Sequence, residues 1–171
     1  PSQLPYTTAM NWTYDSGDFD ALLNTLERRT VGFTKRRADA ETQGMLRGLG
    51  IAHYIKGVRA GAGEAARLEI ALDGSATIFI GNQSNGQGHE TVFAQAVSER
   101  LGIDINRIRM VQGDTDRIQT GGGTGGSRSM LNGIPACDNA SIAVIENGTR
   151  FAAEAMEAAE ADIDYEDGVF R

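Results

Sequence analysis

The stretch Gly81-Asn-Gln-Ser-Asn-Gly-Gln-Gly-His-Glu-Thr91 decides how the rest of the chain reads. It follows an apolar run, Ala76 to Ile80, and opens an amphipathic segment from Glu90 to Leu101, so a glycine-rich loop carries a strand into a helix. Glycine admits positive φ and lets backbone N–H groups approach a ligand closely. A helix start adds unpaired N–H groups and the positive end of the helix dipole, a setting suited to an anion. A second loop of the same kind, Gly121-Gly-Gly-Thr-Gly-Gly-Ser-Arg-Ser129, follows one helix and one strand later. The two loops together suggest a phosphate or pyrophosphate cradle.

The flanking pattern supplies a scaffold. Upstream, Leu68, Ile70 and Leu72 alternate with Arg67, Glu69 and Ala71, and Asp73-Gly74 turns this strand into Ala76–Ile80, which predicts an antiparallel hairpin. Downstream, Phe93, Val97 and Leu101 mark one helix face, Gly102 ends it, and Ile108 and Met110 share a face of the next strand. A helix of roughly twelve residues rises about 18 Å. The strand from Arg107 to Gln112 returns about as far at about 3.3 Å per residue. The two loops are therefore expected to be neighbours.

After Ser129 a stripe at Met130, Ile134, Cys137, Ser141 and Val144, with small residues beside it, predicts a buried helix. Pro135 requires that it start near Asn132 or kink, and Asn147-Gly148 is expected to break it before a last helix from Arg150 to Ala159. Nearer the start, helices are expected over Asp18–Arg29 and Thr34–Gln43, then a glycine-interrupted strand from Leu46 to Val58 and a loop from Gly57 to Gly63. The last ten residues read as a strand, an Asp-Gly turn and the start of a second strand, as expected of a portion of a larger chain. The fold class expected is α+β, an antiparallel or mixed sheet packed with helices, with residues 1–171 forming a single portion of one domain.

Composition narrows the function. A net charge of −7 and no basic stripe argue against nucleic acid. The cluster at Arg28, Arg29 and Lys35–Arg37 is interleaved with Glu27, Asp39 and Glu41 and reads as a solvated helix face. A lone cysteine excludes an internal disulfide and a cysteine-based metal site, and fits a reducing, cytoplasmic setting. No apolar run is long enough to span a membrane.

Taken singly, the polar residues are unspecific. Gly86-Gln-Gly-His89 serves equally as a tight turn; it lacks the Gly-Lys-Ser/Thr of a P-loop and the third glycine and strand–helix–strand setting of a dinucleotide fingerprint. His89 has no second histidine one turn on, and His53 is its only companion, so helix-start hydrogen bonding outweighs metal ligation. Asp114 and Asp116 suit a turn, Ser127 lacks a triad order, and Cys137 lies on an apolar stripe as a buried structural thiol. No catalytic or metal-ligating residue is assigned.

The set as a whole is specific. Gln87-Gly-His-Glu-Thr91, then Gln95 and Glu99 ahead of Leu101-Gly102, then Gly113-Asp-Thr-Asp116 and Gly123-Thr-Gly-Gly-Ser-Arg-Ser129 resemble the molybdenum-cofactor-binding large subunit of the xanthine dehydrogenase/aldehyde oxidase family. Within it the chain is similar to carbon monoxide dehydrogenase-like large chains. Leu4-Pro-Tyr6, Tyr14-Asp-Ser-Gly-Asp-Phe19 and Asp73-Gly74 extend the resemblance over essentially the whole chain.

The resemblance implies a molybdopterin-type cofactor, in bacteria often extended by a nucleotide such as the cytosine dinucleotide. It implies hydroxylation of aldehydes or N-heterocycles with oxygen from water, or oxidation of carbon monoxide. Iron–sulfur clusters and FAD are then expected on partner subunits. A cofactor role is carried onto Gln87, Gly88, His89 and Thr91 in the first loop and Thr124, Ser127, Arg128 and Ser129 in the second. The chemistry agrees: N–H groups, hydroxyls and a guanidinium suit phosphate oxygens, and the Gln87 amide suits the polar edge of a pterin.

The family's catalytic glutamate, in a late Gly-x-Gly-Glu segment, has no counterpart where it should fall. Gly61-Ala-Gly-Glu64 has the letters but precedes both loops and is taken as a coincidental loop. The chain is thus expected to be inactive alone. The competing reading is a non-catalytic module that binds a phosphorylated small ligand through the two loops.

Overall fold

The Asp73-Gly74 turn and the apolar alternation on either side of it build the hairpin on which the larger part of the chain is assembled. The computed structural model describes residues 3–58 and 63–171, and the chain divides into two compact units, Pro1–Ile55 and Lys56–Arg171. In the first, β1 (Tyr6–Thr7) pairs antiparallel with β2 (Thr13–Tyr14), and α1 (Phe19–Thr30) and α2 (Phe33–Glu41) follow. Asp18 caps α1 by accepting the Ala21 N–H at 2.8 Å.

The strand expected from Leu46 to Val58 does not form, and these residues adopt no regular structure. Gly48, Gly50 and Gly57 weaken it, and no strand among the described residues pairs with it to satisfy its backbone groups. The loop expected from Gly57 to Gly63 falls largely outside the described residues.

In the second unit β3 (Ala66–Ile70) pairs antiparallel with β4 (Ala76–Ile80), Leu68 opposite Ile78, as expected. The other edge of β4 holds β5 (Ile108–Val111), and here the pairing is parallel, with Ile78 opposite Met110. The strand–helix–strand setting missing from the sequence reading is therefore present: β4, α3 (His89–Leu101) and β5 form a parallel crossover. A short apolar run reads alike in either direction. What fixes its direction is the helix between, long enough to return the chain to the sheet's starting edge.

Ala76, Ile78 and Ile80 face the helices and pack with Phe93, Ala94, Val97 and Leu101 of α3 and Cys137 of α4 (Ser129–Met156). On the opposite face the Phe79 ring lies under two guanidiniums, Arg67 at 3.9 Å and Arg117 at 4.6 Å from its centroid.

α4 corrects the expected break at Asn147-Gly148. It begins at Ser129, runs through Pro135, and continues without a break at Asn147-Gly148 for 28 residues in all. Gly148 serves packing instead of termination, because a Cβ there would lie 2.1 Å from the Phe170 ring. Phe170 belongs to a small hairpin, β6 (Tyr165–Glu166) and β7 (Val169–Phe170), whose Asp167-Gly168 turn takes φ of 48° and 81°. The hairpin is tied to the end of α3 by the Tyr165 hydroxyl, which donates to the Leu101 carbonyl at 2.7 Å.

Gly148→Ala would favour an isolated helix by about 0.8–1.0 kcal/mol. Here it is expected to destabilise the unit by about 1–3 kcal/mol through overpacking against Phe170. Urea unfolding checks this, with Phe170→Ala in the same chain expected to remove most of the penalty of the added methyl. Burial, with the Glu64 carboxylate adding, pushes the Cys137 thiol up to about 12. A thiol-specific reagent at neutral pH is expected to leave the native chain unlabelled and to titrate a single thiol once the chain is unfolded.

Candidate functional site

Three chain segments meet at the carboxyl ends of β4 and β5, and they meet through glycine. Gly81 follows β4 directly. A Cβ on it would sit 2.6 Å from the Cα of Gly121 and 2.8 Å from Oε1 of Glu64, and Gly121 stands in the reciprocal relation. The two glycine-rich loops are neighbours, as their spacing predicts. The Thr124 hydroxyl fastens them by donating to the Gln83 carbonyl at 2.5 Å. Gln112, at the end of β5, accepts the Ser84 N–H at 2.6 Å and donates to the Glu90 carboxylate, joining the first loop, α3 and the sheet. Glu90 is held below the usual carboxylate range, first by its own backbone N–H against an opposing effect of burial, with the Gln112 and Ser84 side chains adding.

The helices converge on the same place. The Phe93 ring fills the space where Gly133 lacks a side chain, since a Cβ there would come within 2.5 Å of it. Further along, Arg100 donates to Asp138 at 2.6 Å. These contacts advance in the same order along both helices, so α3 and α4 run in the same direction with their N-termini together at the loops. Neither has a side-chain cap: α3 starts behind Gly88 in the left-handed region, α4 behind Arg128. Uncapped N–H groups and two positive dipole ends therefore lie side by side.

The sequence-predicted residues fall into two groups on these two helix starts. Gln87 is exposed, its amide oxygen accepting the Asn85 N–H. Gly88 takes a φ of 78°. His89 is only 3% exposed, its ring 5.1 Å from that of Phe93, and Nδ1 is buried without a hydrogen-bond partner. Thr91 is exposed in the first turn of α3. Across the gap, Ser129 Oγ donates to Thr124 Oγ1 at 3.4 Å, and Ser127 is exposed at a φ of 56°, a strained value for a residue with a side chain. Arg128 is turned onto its own loop, donating from Nη2 to the Gly122 carbonyl and from Nε to that of Gly123 at 3.4 Å.

A groove of about 340 Å³ runs beside these groups, lined by Gly81, Asp114, Thr115, Gln119 and the Gly121–Gly123 backbone, and by none of the eight predicted residues. A larger cavity, about 540 Å³, lies in the first unit among Tyr6, Tyr14, Phe19 and Tyr54. Its lining also includes Gln3 and His53, whereas the smaller groove is edged by the glycine backbone of the second loop, with Asp114 on one side.

Glu64, Asn82 and Gln112 escaped the sequence reading. Glu64 is no incidental loop residue: Oε2 accepts the Gly122 N–H at 3.0 Å, and Oε1 is buried without a partner. Asn82 is fully buried with both amide atoms unpartnered. The one signal for it was a polar residue two positions behind a largely apolar strand. The glycine cradle and the uncapped helix starts fit the phosphate of a pterin phosphate, and the orphaned acceptor and amide groups fit the hydrogen-bonding edge of its ring. Among the described residues no group of three or more His, Cys, Asp or Glu side chains could hold a metal ion, and no helix is long and apolar enough to cross a membrane.

A family model for the molybdopterin cofactor-binding domain matches residues 27–171. The chain belongs to this family. The domain is 31% identical to the carbon monoxide dehydrogenase large chain of Afipia carboxidovorans, over 100% of this chain and 24% of that one. It is 34% identical to the gamma subunit of the 6-hydroxypseudooxynicotine dehydrogenase complex of Paenarthrobacter nicotinovorans, over 98% of this chain and 22% of that one. The crystal structure of the Cu,Mo-containing carbon monoxide dehydrogenase superposes with a TM-score of 0.63 at 31% identity, again over 100% and 24%. Quinoline 2-oxidoreductase of Pseudomonas putida 86 gives 0.58 at 26%, over 100% and 23%. The chain thus spans about a quarter of the length of these relatives.

The backbone meeting of Gly81 and Gly121 is open to a direct test. Gly121→Ala is expected to force the loops apart and destabilise the domain by about 1–3 kcal/mol. Gly125→Ala, four residues on, meets nothing within 4 Å and is the matched control. Equal denaturation midpoints for the two variants would show that the loops are not in contact.

Proposed function

We propose that these 171 residues are one portion of the molybdenum-cofactor-binding domain of a larger subunit, and that Gln87, Gly88, His89, Thr91, Thr124, Ser127, Arg128 and Ser129 hold the cofactor. What carries this reading is the pair of uncapped helix N-termini lying together above the Gly81–Gly121 contact. N–H groups in the first turns of α3 and α4 bind phosphate oxygens, and the hydroxyls of Thr91, Thr124, Ser127 and Ser129 add donors around them. Arg128 has five N–H donors, so donors remain for a phosphate after its bonds to Gly122 and Gly123. Gln87 offers donor and acceptor to the pterin edge. The phosphate chemistry suits a nucleotide-extended form such as the cytosine dinucleotide.

When bound, the group supplies molybdenum-centred oxidation: hydroxylation of an aldehyde or N-heterocycle with oxygen from water, or oxidation of carbon monoxide. The residues of this chain bind and orient it and contribute no proton-transfer group of their own, so the isolated portion is inactive. Electrons leave through iron–sulfur and FAD-carrying partner subunits. The complex works in the cytoplasm, where the lone Cys137 stays reduced.

In the full-length chain, replacing both Gln87 and Ser127 by alanine is expected to lower molybdenum and pterin content severalfold without unfolding the domain. Parent-level molybdenum in a well-folded double variant would rule the cradle out.

A further inference from the structure

Glu64 approaches the second loop from the start of β3, 58 positions away in sequence, and takes hold of one peptide. Its Oε2 accepts the N–H of Gly122 at 3.0 Å, while the carbonyl of Gly122 accepts from Nη2 of Arg128. One glycine residue is therefore held from both sides by opposite charges, a carboxylate on its N–H and a guanidinium on its C=O. Bonds to ionised groups are about twice as strong as neutral ones. The space for the carboxylate exists because positions 81 and 121 are both glycine: a Cβ on either would lie 2.8 Å from Oε1.

We propose that Glu64 is a positioning residue for the cofactor site, acting through the Gly122 residue on the guanidinium of Arg128. The proposal rests on the reading of the two loops as a cofactor cradle. With the carboxylate in place, the 121–123 backbone is pinned against Gly81 and its carbonyls present a fixed pair of acceptors to Arg128. That fixes the direction in which the remaining guanidinium donors point. Without it, the Gly122 N–H loses its acceptor, and a run of three glycines has no side chains with which to hold its shape. Arg128 then follows a mobile backbone. Glutamine keeps an acceptor oxygen at this reach with a weaker, neutral bond, and alanine keeps none.

The test uses the full-length chain with its cofactor and compares Glu64→Ala with Glu64→Gln. Two quantities are read: deuterium exchange of the peptide covering Gly121–Thr124, and molybdenum and pterin per chain. Glu64→Ala is expected to speed exchange of the Gly122 amide at least about tenfold, as loss of a hydrogen bond to a charged group implies. It is also expected to lower cofactor content severalfold. Glu64→Gln is expected to restore both to values between those of the alanine variant and the parent. If the alanine variant does not accumulate as folded protein, Glu64→Asp, too short by one methylene, is read the same way. Unchanged exchange in the alanine variant overturns the proposal, as does accelerated exchange with parent-level cofactor, or a glutamine variant indistinguishable from alanine. Failure of the underlying cofactor reading appears separately, as full molybdenum content in the Gln87→Ala/Ser127→Ala chain, where Glu64 and its bond to Gly122 are untouched.

Discussion

Everything at the working end of this domain depends on two backbones touching where there are no side chains. With Gly81 and Gly121 so close that a methyl on either would strike the other's Cα, the loop leaving β4 and the loop leading to α4 behave as one surface. A methyl group at either position would separate them, and with them Thr124 from Gln83 and Gly122 from Glu64. The hydrophobic core below keeps this contact in place. Ile78 and Ile80 of the central strand anchor the chain just before Gly81, and Phe93 packs into the notch left by Gly133, so both helices are held near their first turns.

Much of the scaffold was legible because its signals are local. The Asp73-Gly74 hairpin, the α3 stripe at Phe93, Val97 and Leu101, and the glycine stop at Gly102 rest on residues a few positions apart. What the sequence hid is set by partners distant in the chain. The parallel pairing of β5 depends on where α3 delivers it. Gly148 reads as a helix breaker until Phe170, from the last hairpin, occupies the space a side chain would need. The segment from Leu46 to Val58 has strand-like composition and no partner among the described residues, so composition alone misleads there.

The same division runs through the site. Glycines, hydroxyls and an arginine at two loops are a pattern that can be read, and the structure does gather them on two adjacent helix starts. Their present bonds could not be read. Arg128 faces the carbonyls of its own loop, and Gln87 turns back on Asn85. Gln112 carries no motif and Glu64 only the letters of a misplaced one: each is a polar residue whose importance comes from bonds reaching 28 and 58 positions along the chain.

The shared direction of α3 and α4 has an energetic corollary. Two dipoles aligned side by side repel, and their adjacent positive ends are the worst of it; antiparallel neighbours would cancel instead. The fold therefore carries an electrostatic frustration at these helix starts, which an anion held there as proposed would neutralise. Ligand occupancy and folding are then coupled: whatever binds the native form alone adds RT ln(1 + [L]/Kd) to its stability, about 2.7 kcal/mol at a hundredfold excess over Kd. A domain built this way protects itself. On the proposed reading, chains lacking the cofactor would be the loosest members of the population, because they alone forgo that added stability.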